Sequence, residues 1–453
     1  MVKSIQEPAR ETPVFADIDV VVAGGGPAGV CAALASARSG KSTLLVEFGG
    51  ALGGMVTTGL HQHVCIFNSA GHRGDRIIGG IPWEITQRLL ARDAGVVGGG
   101  TVDLEVETTK LVLEEMMAEA GVRLLYHTLA SAALVEDQCV RGITIESKSG
   151  RQAVLAGRTI DCTADADVAS RAGATFHQGR DDDGLVQPVT LMFRVGGIDV
   201  DAYNAVRAKE GWKLEPTLRR AINAGDLEPF HTMMSGLWWC PQRPDQLGVN
   251  YTNLTHIDPT DAEAITEATV ECRKQVHQTV AAFRKHLAGW ANAYLIDTAP
   301  YMGTRESRRI QGEETLTIDD VLTCRKSDRG IAKGAFYVDV HGPTGTAQSD
   351  YGEQQLPPGD HYDIPYGCLV PKEIDNLLVA GRCISTDHTA LGSMRVMFQC
   401  MATGEAAGVA ATLSIDARCS PRQLDVGKLR AELKSRNVLV DQTVSETTTG
   451  DGS

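Results

Sequence analysis

The chain has 453 residues, 43% hydrophobic and 22% charged, which allows two or three packed domains with an ample core. A net charge of −14 sets an acidic surface against phosphate backbones and anionic lipid heads, so nucleic-acid and membrane-surface partners are not expected. No apolar run reaches the roughly 18 residues of a spanning helix. The opening MVKSIQEPARETPVFADID is too polar for a secretory core, so the expected location is cytoplasmic.

Residues 1–16 read as a loose arm. Ile18 to Glu47 then runs strand, turn, helix, strand: IDVVVAG, PAGVCAALASARSG, STLLVEF. The two apolar runs are short and β-branched, as doubly buried parallel strands are. Gly24, Gly26 and Gly29 fall between strand and helix in the spacing G-x-G-x-x-G. They serve a tight turn, close backbone approach to a pyrophosphate, and close helix–strand packing. The helix N-terminus faces the phosphates, and Glu47 can accept from a ribose diol. NAD and FAD satisfy this motif equally.

The adjoining segment separates the two dinucleotides. VEFGGALGGMVTTGL sets a second glycine turn, Gly53-Gly54-Met55, just after Glu47. The longer body of a flavin nucleotide needs backbone approach there. Next, His61 and His63 in LHQHVC share a strand face. Two ligands without a third fall short of a metal site, and covalent flavin attachment is also not expected. Gly98-Gly99-Gly100 has neither a preceding strand nor a third glycine in register, so it reads as a loop rather than a nicotinamide fingerprint.

TTKLVLEEMMAEAG is helical, VRLLYHT extended, and SAALVEDQCVRGITIESKSG a hairpin turning near Gln138. RTIDCTADADVASRAG is a strand running into a helix. From PVTLMFRVGGIDV the composition shifts to strands and irregular loops. Asp261–Leu287 forms a long amphipathic helix whose stripe (Ala262, Ile265, Thr269, Cys272, Val276, Val280, Phe283, Leu287) faces either this chain or a second subunit, which leaves a homo-oligomer open. NLLVAG is again a buried strand, and SMRVMFQCMATGEAAGVAATL a small-residue helix. Ser393 is placed to cap that helix. Its positive end suits the N1/C2-oxygen region of a reduced flavin, and Gly404, Ala407 and Gly408 permit close packing. The tail from about 441 reads as frayed. The 11 cysteines form no C-x-x-C pair and read as small buried hydrophobes.

The blocks AGGGPAG, LGGMVTTG, GTRESRRIQGEETLT, YDIPYGCLVP and NLLVAGRCIS…GSMRV…GEAAG resemble FAD-dependent oxidoreductases of the glutathione-reductase-like flavoprotein superfamily, in a bacterial branch of it, over residues 17–440. The resemblance implies an α/β fold: a Rossmann-like FAD-binding domain (doubly wound, mainly parallel sheet with a β-meander) over 17–185 and 362–440, and an inserted α+β substrate domain over 186–361. It implies non-covalent FAD held by Gly24, Gly26, Pro27, Ala28, Gly29, Glu47, Gly53, Gly54, Met55, Ala130, Ala164, Asp165, Gly381, Arg382, Gly392, Ser393 and Met394. Such proteins carry an A-T-G-D-like turn. Here it reads Cys162-Thr163-Ala164-Asp165, which sets a Cβ near the pyrophosphate.

The expected chemistry is oxidation of a small organic substrate, hydride passing to flavin N5 and electrons leaving to oxygen, a quinone or a partner protein. The alternatives are a reductase of an activated alkene or ketone and a redox-neutral isomerase or lyase. His388 and His341 are candidates for moving a proton. Arg305, with Arg308 and Arg309 beside it, can clamp a substrate carboxylate or pair with Glu306, Glu313 or Glu314. Arg395 opposes a helix dipole unless an anion sits beside it. Tyr366 can donate to a substrate oxygen or serve the interior.

Overall fold

Val20, Val21, Val22 and Ala23 are fully buried because their strand, Val14–Ala23, is flanked on both sides by parallel partners. Thr43–Val46 pairs with it in the register Val20↔Thr43, and Gly150–Asp161 in the register Val20↔Arg158. The computed structural model describes residues 5–6, 8–71, 74–344, 354–441 and 444. The strand's start at Val14 shortens the expected N-terminal arm, and residues 1–4 and 7 lie outside the described residues, as does most of the expected frayed tail.

The main sheet has seven strands, mainly parallel. Its path runs Arg123–Leu125, Thr43–Val46, Val14–Ala23, Gly150–Asp161, Cys139–Ser147, Leu129–Glu136. The 12-residue strand Gly150–Asp161 forks: its first half pairs antiparallel with Cys139–Ser147, and its end pairs parallel with Leu377–Val379. The meander turns at Asp137-Gln138, both with positive φ, as a tight hairpin requires. Leu377–Val379 thus re-enters the sheet beside the first strands after more than 200 intervening residues.

Helix Pro27–Arg38 follows the first strand and ends at Ser39, with Gly40 left-handed beyond it. The C-terminal helix lies across it. The single helix expected there is two: His388–Met394 and Met397–Asp416, interrupted at Arg395-Val396, where Val396 is extended.

A second core, between Phe193 and Ala293, is built on a four-stranded antiparallel sheet in the order Gly236–Cys240, Arg243–Asn250, Phe193–Gly196, Tyr294–Thr298. The stripe of helix Ala262–His286 is buried from Ala268 onward, with Val276, Val280 and Phe283 seated against Tyr251 and Trp290. The chain itself covers that face, although Ala262 is exposed. The inserted unit drawn from the sequence over 186–361 owns a core only in this part. Ile310, Leu316, Ile331 and Val340 join the larger core, and strand Gly330–Gly334 packs on helix Met397–Asp416. A three-stranded sheet (His63–Cys65, Thr101–Leu104, Gly95–Gly98) bridges toward the insert. The loop expected at Gly98–Gly100 does follow a strand. Its Gly99-Gly100 pair, both at positive φ, closes the hairpin between Gly98 and Thr101.

Candidate active site

A cavity of about 630 Å³ opens between the two cores, and the first glycine turn forms one end of it. Gly24 takes φ +98, and a Cβ there would stand 2.5 Å from the Cys162 carbonyl oxygen, so only glycine fits. Gly26 faces the cavity, with nothing within 4 Å of where its Cβ would be. It is also the N-cap of helix Pro27–Arg38, without any side-chain cap, so the amides of Ala28 and Gly29 have no partner within the helix. The second turn is pressed onto the first: Gly53 N donates to Gly25 O at 2.8 Å, and a Cβ on Gly54 would meet Gly26 Cα at 2.9 Å. Met55 then reaches the cavity. Glu47 closes the group, accepting from Gly25 N and Gly49 N at 2.6 Å each and from the Tyr301 hydroxyl at 3.1 Å.

The residues present suit an FAD. An uncapped helix start beside an open glycine is an anion cradle, and a carboxylate ends the second strand. Arg395, Val396 and Met397 bring the start of the last long helix, also without a side-chain cap, to the same cavity. Ser393 is not that cap. Its hydroxyl donates to Phe336 O at 2.5 Å and bonds the Tyr362 hydroxyl at 2.8 Å inside the shorter helix. Gly381 and Arg382 line the cavity, with Arg382 held by Asp165 at 2.5 Å and Ser307 at 2.7 Å. Ala164 lines it as well, at φ +69, a conformation that costs a residue with a Cβ about 1–2 kcal/mol.

The far wall is polar and charged. Arg305 donates to Pro188 O at 2.8 Å and to Thr190 Oγ1 at 2.6 Å. Burial, then the nearby Arg395, lower its proton affinity to about 9, so it stays charged at neutral pH. Arg395 donates to Asp339 O and to Asp339 Oδ2 at 2.9 Å. His341 Nε2 lies 3.3 Å from the same Oδ2. Burial alone would raise the Asp339 carboxyl, but His341, Arg395 and Arg305 together hold it well below the usual range. Burial and Arg305 bring His341 down to about 4, so its imidazole is neutral at pH 7.

A third wall is aromatic. Trp238 stacks on His63 with ring centroids 4.8 Å apart and lies 5.0 Å from His61. His63 faces Asp103 across the strand pair and bonds its Oδ1 at 2.6 Å. Burial would lower His63, yet Cys65 and Asp103 outweigh it and lift the imidazole to about 10. His61, buried beside His63, falls to about 3. The two histidines do share a wall, but no group of three or more His, Cys, Asp or Glu suited to a metal ion occurs among the described residues.

The structure therefore gathers Gly26, Pro27, Ala28, Met55, Ala164, Gly381, Arg382, Arg305, His341 and Arg395 around one cavity. Others stand apart. His388 is buried against Glu306 at 2.9 Å, and Glu306 also pairs with Arg309. The Arg308 guanidinium bonds Ser170 and Asp167. Tyr366 is a core residue whose hydroxyl donates to Pro421 O at 2.9 Å. Ala130 lies in the meander with its carbonyl bound by Arg171. Gly392 and Met394 are interior positions of the short helix; Gly392 is packed on Asp339 and Val340. Asp339, Asp103 and Trp238 also line or brace this cavity without a local motif to mark them. Only the alternation in YVDVHG put Asp339 and His341 on one side of an extended segment.

No curated protein matches the chain by sequence. Solved structures that resemble it include a geranylgeranyl bacteriochlorophyll reductase-like protein from Thermoplasma acidophilum (14% identity, 93% of this chain and 84% of that one, TM-score 0.48). A p-nitrophenol 4-monooxygenase from Pseudomonas putida gives 13% identity over 89% and 79% with TM-score 0.42. The flavin-dependent brominase Bmp2 gives 13% over 92% and 83% with TM-score 0.45. No helix among the described residues is long and apolar enough to cross a membrane. The model of the family described as FAD dependent oxidoreductase matches residues 19–433, from the first strand into helix Val426–Ser435, and the chain belongs to that family.

Proposed function

We propose that the protein oxidises a small organic molecule within this cavity, on non-covalently held FAD, and passes the electrons to oxygen, a quinone or a partner protein. Within its family, its motifs suit the glutathione-reductase-like flavoproteins. One observation carries the reading: the uncapped helix starts at Gly26 and Val396 open on the same chamber as the buried cluster of Arg305, Asp339, His341 and Arg395. When bound, FAD supplies a two-electron acceptor that takes hydride at N5.

The chain's own residues do the rest. The Ala28 and Gly29 amides would hold the pyrophosphate, and Glu47 would hold the ribose diol. His341, neutral at pH 7, accepts the proton that a hydroxyl or amine releases. Asp339, 3.3 Å from its Nε2, steadies the imidazolium so formed. Met192, Leu237 and Trp238 exclude water from the reacting bond.

A reductase is the second reading, favoured by His63. Its imidazole is braced by the Asp103 carboxylate at 2.6 Å, which favours the protonated form, and it lines the same cavity, as a proton donor to an activated alkene or ketone must. Anaerobic photometry separates the two. A substrate that bleaches the visible flavin band supports oxidation. Chemically reduced protein reoxidised by an enone or keto acid supports reduction. A protein that neither carries nor takes up FAD ends both.

A further inference from the structure

Arg305 is a buried cation without a counter-ion. Its hydrogen-bond acceptors, the Pro188 carbonyl and the Thr190 hydroxyl, are neutral, and no carboxylate pairs with it among the described residues. The acid acting on it, Asp339, is committed to Arg395 and His341. His341 and His61 are neutral at pH 7. Two guanidinium charges against one carboxylate leave one positive charge among these buried side chains.

An uncompensated buried charge is strongly unfavourable. Arg305 nevertheless lines the cavity, so a ligand can supply the missing charge. The pyrophosphate of FAD already has its cradle at Gly26 and Ala28. A planar carboxylate matches the guanidinium fork and gains two charge-assisted hydrogen bonds. The same cavity is lined by the apolar side chains of Met192, Leu237 and Trp238, the last stacked on His63 at 4.8 Å. Such a wall receives a planar hydrocarbon body.

We propose that the substrate is an organic carboxylate with a planar apolar body, its carboxylate on Arg305 and its body against Trp238. The proposal rests on the FAD reading for the reaction, but the anion site itself does not require the cofactor to be bound.

Isothermal titration calorimetry tests it, with 3-phenylpropanoate and its neutral isostere 3-phenylpropanamide titrated into FAD-treated and FAD-free protein at pH 7. The acid is expected to bind about tenfold or more tighter than the amide. R305Q should erase that gap, R305K should keep part of it, and W238L should weaken both compounds about equally. Equal binding of acid and amide, binding of neither, or a gap that survives R305Q overturns the proposal. So does an R305Q protein that loses FAD yet still prefers the acid, which assigns Arg305 to the cofactor. If R305Q does not fold, the wild-type and R305K titrations decide. Wild-type protein that stays colourless after FAD treatment fails the functional reading alone, and the acid preference is still read on it.

Discussion

Gly404 of helix Met397–Asp416 lies directly on Ala28, the second residue of helix Pro27–Arg38: a methyl on Gly404 would overlap the Ala28 carbonyl oxygen and stand 2.8 Å from its Cα. One turn on, Gly408 repeats the contact with Ala32 and Ala35. Two glycines four residues apart thus lock the helices together at backbone distance, and both helix starts reach the cavity as a consequence.

Gly404→Ala should therefore act at two levels. Backbone cannot yield as a side chain tip does, so the overpacking should cost about 1–3 kcal/mol or more in thermal or urea unfolding. The same displacement moves Ala28 and its amide, so FAD affinity should fall as well. Unchanged FAD titration with lowered stability would separate helix packing from cofactor binding.

Ala164 invites the opposite experiment. It holds φ +69 within the Cys162–Asp165 turn, where glycine is unstrained. Ala164→Gly removes about 1–2 kcal/mol of left-handed strain and gives back part of it as unfolded-chain entropy. A net gain of about 0.5–1 kcal/mol is expected, with FAD held at least as tightly. Destabilisation by the glycine would show that the Ala164 methyl is itself part of the packing.

His341 sets the acid limb of the reaction. Burial and Arg305 depress it to about 4, and only the neutral imidazole can accept a proton. The rate should thus be level from about pH 5 upward and fall as pH drops through about 4. His341→Asn should lower kcat by about 10²-fold or more and remove that limb, while the flavin absorbance stays as in wild type. A limb that persists in the variant would assign the proton to another group.

Sequence distance decides how much of this was legible in the chain. The glycine turn, Glu47 and the small-residue helix are local signals: each motif contains the reason for its own geometry. The pair Gly404 and Ala28 was half legible, because a glycine in a helix announces close approach without naming its neighbour. Asp103 reaches His63 only through an antiparallel pairing across 40 residues, and Trp238 arrives from the inserted sheet. No local pattern encodes either meeting. His388 and Tyr366 misled for the converse reason. Each belongs to a recognisable motif, but long-range partners, Glu306 for one and Pro421 for the other, draw them into the interior.

Glu405 offers a test of the core by pH. It lies in helix Met397–Asp416, almost wholly buried, and accepts from Ile81 N at 2.9 Å, capping helix Gly80–Leu90, whose own N-cap, Gly79, supplies no side chain. Burial raises its pKa to about 8, against the opposing pull of that amide, Arg436 and Arg38. Because the folded value lies above the ordinary 4.5, the native state holds a proton that the unfolded chain has released between those pH values. Stability is then lost as pH rises from about 4.5 to about 8 and is level beyond. Glu405→Gln keeps an acceptor for Ile81 and carries no charge to desolvate. Its melting temperature should match wild type near pH 4.5 and exceed it increasingly up to pH 8, by an amount equivalent to a few kcal/mol at most. A gap that does not change with pH would mean that Glu405 is ionised, and compensated, throughout.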